Sequence, residues 1–218
     1  MICHNYIFFS SKDSLHSFSK KERETATKEF LALLKSDKKI IAHTYSTLGL
    51  KAQTNMMIWF QADSIDAIQN LLNKLMHTDL GKHMQITHTL FGMTRPTQYS
   101  EKSNGHLQTD RKGGNYLIIY PFTKTTDWYM VDFEGRRNLM WGHVQIGKKH
   151  SHKIDQMLLY AYGIDDSEFI VSYETDDLSV FQELVMELRS DKVREYTLKD
   201  TPIFTCIYKK PEEAVTFL

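Results

Sequence analysis

The stretch ADSIDAIQNLLNKL, residues 62–75, can be laid over TDDLSVFQELVMEL, residues 175–188, at an offset of 113 positions. Asp63 falls on Asp176, Gln69 on Gln182, Leu71 on Leu184 and Leu75 on Leu188, while Ile65, Ile68 and Leu72 meet Leu178, Phe181 and Val185. Both copies open with Asp in a helix-capping zone and then repeat apolar residues at spacings of three and four, the pattern of an amphipathic helix. Each also follows an apolar strand-like run, MMIWFQ from Met56 in the first case and FIVSYE from Phe169 in the second. Two short amphipathic helices can match by chance. A repeat of the flanking elements in the same order is much harder to obtain that way.

Working outward, the first half reads as strand (6–9), helix (about 15–34), strand (40–48), strand (56–61), helix (65–76) and strand (85–92). The second half repeats this as strand (116–123), helix (133–149), strand (154–162), strand (169–174), helix (178–193) and strand (203–208). The order βαββαβ, twice, is the ferredoxin-like split unit. Residues 1–95 and 115–218 are therefore expected to form two such repeats. The polar, turn-rich 96–114 would link them. One face of each sheet is covered by its own helices, so the fold class expected is α+β, with the two sheets packed as a dimeric barrel within one chain.

Composition narrows the function. The 218 residues carry 27 Lys plus Arg and 27 Asp plus Glu, and this zero net charge argues against a dedicated nucleic-acid binder. No apolar run reaches the ~20 residues of a membrane span, and MICHNYIFFSSKDS does not read as a signal peptide. The two cysteines, Cys3 and Cys206, form no metal or redox motif. A soluble, cytoplasmic globular protein is expected. Its 12% aromatic content and ten histidines are compatible with a large flat ligand.

Several residues of the second half could carry chemistry. His143 shares a helical stripe with Phe133, Met140, Val144 and Gly147, so it points with the apolar face. Gly142 and Gly147 are poor helix formers there, and they leave room for something that is not a side chain. A core histidine bonded to a carbonyl fits this pattern as well as a ligand does. One histidine is too few for zinc but sufficient for haem. In NYLIIYPFTK, period two places Tyr116, Ile118, Tyr120, Phe122 and Lys124 on one strand face. Lys124 then either ends the strand in solvent or is an unusual buried cation. Gln156 is in phase with Leu158, Tyr160 and Tyr162 and brings a neutral amide to an interior face. Glu187 lies at the edge of an apolar helical stripe, where a solvated flank is the ordinary reading. Arg111, Lys148 and Lys149 are basic residues next to these elements that could meet an anionic ligand.

Together these residues resemble the chlorite dismutase family. The resemblance runs from Tyr116 to the C-terminus through YPFTK, WYM, RRNLM with His143 three residues on, GIDD and MELR. It implies that His143 is the proximal haem ligand and that Lys124 and Glu187 orient it. Met140, Gly147 and Phe122 would line the haem site, and Arg111 and Lys149 would face its propionates. Gln156 would be the distal residue, where chlorite dismutases resemble one another in having arginine. Glutamine there, with Tyr120 matching a redox-active tyrosine, resembles the coproheme decarboxylase branch, although Phe122 stands where that branch has methionine. The implied activity is hydrogen peroxide-dependent decarboxylation of iron coproporphyrin III to haem b, in a homopentamer. The alternatives are chlorite dismutation, weak haem peroxidase activity, a haem carrier without turnover, or an empty barrel used for assembly.

Overall fold

The computed structural model describes residues 1–96 and 110–218, which form two compact units, Met1–Met93 with Phe204–Leu218 and Thr94–Ile203. Most of the expected 96–114 linker lies outside the described residues. The fold is α+β. Among the described residues no helix is long and apolar enough to cross a membrane.

In the first unit, β1 (Cys3–Ser11), α1 (Lys20–Leu34), β2 (Ile41–Ser46), β3 (Met56–Ala62), α2 (Ile65–His77) and β4 (Met84–Met93) follow the βαββαβ order. The strands pair antiparallel in the order β4-β1-β3-β2, the ferredoxin-like arrangement. Local sequence sets the helix starts. Ser19 and Glu22 form a reciprocal capping box at α1, and the Ser64 hydroxyl accepts from the Asp66 amide at α2. The layer between helices and sheet is hydrocarbon throughout. Ile7, Phe9, Phe30, Leu34, Ile58, Phe60, Ile68 and Leu71 are all buried in one cluster.

The second unit repeats the plan with β5 (Tyr116–Lys124), the short α3 (Thr126–Met130), α4 (Phe133–His150), β6 (Ile154–Tyr160), β7 (Phe169–Thr175), α5 (Leu178–Arg189) and β8 (Thr197–Lys199). Its antiparallel order is β6-β7-β5-β8. Asp132 caps α4 by accepting from the Gly135 amide at 2.6 Å, and Asp177 caps α5 through the Ser179 and Val180 amides. Lys148, Lys149 and His150 occupy the last turn of α4, where cations complement the helix dipole.

Two boundaries differ from the sequence expectation. The last repeat strand, β9 (Phe204–Tyr208), followed by α6 (Pro211–Ala214), belongs to the first unit, where β9 pairs with β2. The three-residue β8 pairs with the end of β5, at Thr123 and Lys124. In addition, α5 ends at Arg189 instead of continuing to residue 193. Ser190 closes it, and Asp191 then caps a separate 3-10 turn, Lys192–Tyr196.

Strand pairing carries the repeat through to individual side chains. Ile7 pairs with Ile58 in the first unit and Tyr120 with Val171 in the second, again at the 113-residue offset. Phe60 corresponds to Tyr173 at the same offset. Opposite them lie Ala42 and Gln156 respectively. The same offset relates Phe30 to His143 and Leu34 to Gly147 on the two long helices. Where the first unit packs hydrocarbon, the second places a phenol, an amide, an imidazole and a glycine.

Candidate functional site

These substitutions open a cavity of about 510 Å³ between the sheet and the helices of the second unit. That is within the ~300–1,000 Å³ range of small-molecule and cofactor sites. Met140, His143, Val144 and Gly147 of α4 line one side, and Tyr120, Phe122 and Lys124 of β5 with Gln156, Leu158 and Tyr160 of β6 line the sheet side. Val171 and Tyr173 of β7, and Leu184 and Leu188 of α5, complete its apolar wall. Gly147 decides how much space remains. A Cβ built on it meets no atom within 4 Å, so any larger side chain would enter this space.

His143 Nδ1 lies 3.5 Å from the Asp191 carboxylate, longer than a good hydrogen bond. Among the described residues, neither His143 Nδ1 nor Asp191 Oδ2 has a hydrogen-bond partner. Burial pushes the imidazole pKa below its ordinary value, against the opposing pull of Asp191. Burial thus favours the uncharged imidazole, whose Nδ1 is the ring nitrogen turned to Asp191. No cluster of three or more His, Cys, Asp or Glu suited to a metal occurs among the described residues. The donor set suits an iron whose remaining ligands come from a macrocycle.

Lys124 is a buried cation, not a solvated strand end. Its Nζ sits 4.4 Å from the Trp128 ring centroid and 5.2 Å from that of Phe122. Burial lowers its pKa to about 8, with Glu168 and Asp191 acting in the opposite direction. The Tyr120 phenol pKa is raised by burial, partly offset by a hydrogen bond with Tyr173. At another edge of the cavity, Arg189 and Arg194 both reach Asp200 Oδ2, at 2.7 and 2.6 Å.

Three expected site residues lie elsewhere. Glu187 does not reach His143. Its carboxylate binds Lys149 Nζ at 2.9 Å and His150 Nε2 at 3.1 Å. The residue beside the imidazole is Asp191, because α5 ends early and the chain turns back towards α4. Lys149 is thus held by Glu187 and does not line the cavity. Arg111 donates to the Gly114 carbonyl and lies 4.0 Å from the buried Glu174, which also accepts from the amides of Lys112, Gly113 and Gly114. The basic residues that do line the cavity are Lys124, Lys148, Arg189 and Arg194. A helix extrapolated past Ser190 hides Asp191, and the two arginines give no sequence signal before the turn that aims them.

The sequence profile described as chlorite dismutase matches residues 23–209. The chain belongs to the chlorite dismutase family. A coproheme decarboxylase from Mycolicibacterium smegmatis is 26% identical over 167 residues, covering 76% of this chain and 72% of the relative. Among solved structures, a chlorite dismutase mutant from Candidatus Nitrospira defluvii superposes with a TM-score of 0.90 at 23% identity, covering 99% of this chain and 94% of that one. The same enzyme in complex with imidazole gives 0.89 at 24% identity, with the same coverage. These likenesses establish the fold, and the family they belong to contains enzymes.

Proposed function

We propose that this protein is a haem-type oxidoreductase that uses hydrogen peroxide to decarboxylate iron coproporphyrin III to haem b. The observation that carries this reading is one cavity walled by a histidine on its helix side and by a phenol and a neutral amide on its sheet side. A flat porphyrin fits a helix-to-sheet cavity that Gly147 keeps clear. His143 would hold its iron, and Asp191 would fix the ring tautomer and raise the imidazole's basicity. Lys148, Arg189 and Arg194 are the cations available for its carboxylates.

For each propionate, one hydrogen peroxide is reduced to two waters while the side chain loses carbon dioxide and becomes vinyl. When bound, the porphyrin iron would supply the two-electron reduction of peroxide. Tyr120 would give its hydroxyl hydrogen, as one electron and one proton, to the peroxide-oxidised centre and regain a hydrogen from the propionate chain, whose second electron would return to that centre as carbon dioxide leaves. Gln156 offers hydrogen bonds without charge, whereas a guanidinium in its place would stabilise an anionic oxychlorine species. The reading therefore favours decarboxylation over chlorite dismutation, and negligible oxygen release from chlorite is expected.

Tyr120→Phe tests it. The variant should bind coproheme within about tenfold of the parent, having lost one hydrogen bond at most, and release no carbon dioxide when peroxide is added. Parental conversion to haem b by that variant would make Tyr120 a wall residue. A parent that keeps its porphyrin mass unchanged under peroxide would point to a carrier.

A further inference from the structure

Part of the cavity wall is a run of aromatic rings that has no role in the reaction proposed above. Tyr160, the last residue of β6, pairs with Phe169, the first of β7, and their ring centroids are 5.5 Å apart. Tyr162 comes next, its centroid 6.4 Å from that of Tyr160 and 4.9 Å from that of Phe169. Tyr129 of α3 ends the run. Its ring lies 6.5 Å from that of Tyr162, and the two hydroxyl oxygens are hydrogen-bonded at 2.9 Å. All four rings line the cavity, yet Tyr129 is 36% exposed and Tyr162 45%. The run leads from a half-buried phenol to two phenols at the surface.

The first unit shows that the fold does not require these rings. There the ladder pair equivalent to Tyr160–Phe169 is Ser46–Met56. The chain then continues as Thr47-Leu48-Gly49-Leu50, without an aromatic residue. The short turn equivalent to α3, Asp13–Ser17, has His16 where α3 has Tyr129, at the 113-residue offset. Of the two units, the one with the cavity has the rings. Each step along them falls within the about 4.5–7 Å at which aromatic pairs are in contact, so an electron can pass from ring to ring. Between the last two phenols a hydrogen atom can also pass along the hydrogen bond, breaking one O–H bond and making another of the same kind.

We propose that the Tyr129–Tyr162 pair is a second oxidation site, at the protein surface and connected through Tyr160 to the cavity, where external hydrogen donors of the phenol class are oxidised. The inference rests on the haem-type oxidoreductase reading and gives it a second outlet, used when no propionate hydrogen is available. Tyr162 gives one electron inward to the peroxide-oxidised centre and its proton to solvent. Its phenoxyl takes the hydrogen of Tyr129 across the 2.9 Å bond. Tyr129 recovers a hydrogen from the donor AH, which leaves as the radical A•. Two such rounds, with the two protons released, turn one hydrogen peroxide into two waters and two AH into two A•.

The test uses the full-length parent, Tyr162→Phe and Tyr129→Phe, which keep their rings and lose only a hydroxyl. Each is loaded with zinc coproporphyrin III and flash-oxidised in the presence of a cobalt(III) acceptor. In the parent, a tyrosyl signal in electron paramagnetic resonance should grow as the porphyrin radical decays. In Tyr162→Phe the porphyrin radical should persist several-fold longer, and Tyr162→Trp, with an oxidisable ring, should restore the decay. Loaded with haem b and given peroxide, the parent should oxidise a phenol tethered to dextran, which is too large to enter the cavity. That rate should fall about tenfold in Tyr162→Phe and less in Tyr129→Phe. A parental porphyrin-radical lifetime in Tyr162→Phe would overturn the proposal, and so would parental oxidation of the tethered phenol by both variants. A parent that leaves coproheme intact under peroxide would sink the decarboxylase reading alone, because the zinc porphyrin needs no peroxide and still decides whether the pair is connected. A parent that binds neither porphyrin would end both.

Discussion

The two units of this chain share one backbone plan and differ in what fills the layer between helices and sheet. In the first, Phe30 and Leu34 on α1 press into a continuous apolar cluster with Ile7, Ile58 and Phe60. In the second, the corresponding His143, Gly147, Tyr120, Val171 and Tyr173 surround a cavity, and the buried apolar cluster shrinks to Ile154, Val171, Tyr173 and Leu184. The first unit fills this layer with its own side chains. The cavity follows from a few side chains that exchange volume for polar groups, and the proposed function rests on that exchange.

Copying the first unit into the second should have the largest effect. Gly147→Leu, the equivalent of Leu34, fills the cavity and should abolish porphyrin binding in an absorbance titration. The same change should raise the melting temperature of the ligand-free protein. Replacing a mid-helix glycine recovers about 1 kcal/mol, and in a chain of this size each kcal/mol shifts the midpoint by about 2–4 °C. Unchanged binding would mean that the ligand does not pass over Gly147.

The groups around His143 sharpen the comparison at the next level. Asp191→Asn should weaken ferric porphyrin binding about 10- to 100-fold, as is typical when an orienting partner is lost. In the ligand-free protein it should lower the imidazole pKa further, because Asp191 is the group that raises it. Glu187→Gln should change neither, since Glu187 faces Lys149 and His150. NMR titration of the His143 ring separates the two carboxylates directly.

A smaller effect is expected from Lys124. Its proton leaves at about pH 8 in the folded protein, against about 10.4 for an ordinary lysine in the unfolded chain. Between those values the unfolded state binds more protons, so burial of this group lowers stability below pH 8 and the deficit is relieved as pH rises through that window. Lys124→Met should flatten that rise in denaturant midpoints measured from pH 7 to 10. An unaltered pH profile would mean that Lys124 titrates normally.

Much of this was legible in the sequence because it depends on periodicity. The pair of helices at Ala62 and Thr175 revealed the repeat, and strand phase put Tyr120, Phe122 and Lys124 on one face, where all three line the cavity. Helix phase did the same for Met140, His143 and Gly147. Extending the 113-residue offset to Phe30 and Leu34 would also have shown where volume is lost. Features that depend on chain direction after an element ends were not legible. Asp191 replaces Glu187 because α5 stops at Arg189, and β9 joins the first unit because strand pairing, not sequence order, decides its neighbours. Arg111 was misplaced for a related reason: its partner Glu174 lies 63 residues away and becomes its neighbour only through folding.

The central claim is that the histidine standing where the first unit has Phe30 ligates a porphyrin iron. It is tested most directly by reconstituting the parent and His143→Ala with ferric coproporphyrin III and recording absorption and resonance Raman spectra side by side. The account predicts a histidine-ligated spectrum with an iron–imidazole stretch in the parent. In the variant that stretch should be absent and the affinity should fall by more than the ~100-fold upper range for losing an orienting partner. Identical spectra and affinities in the two proteins would contradict it.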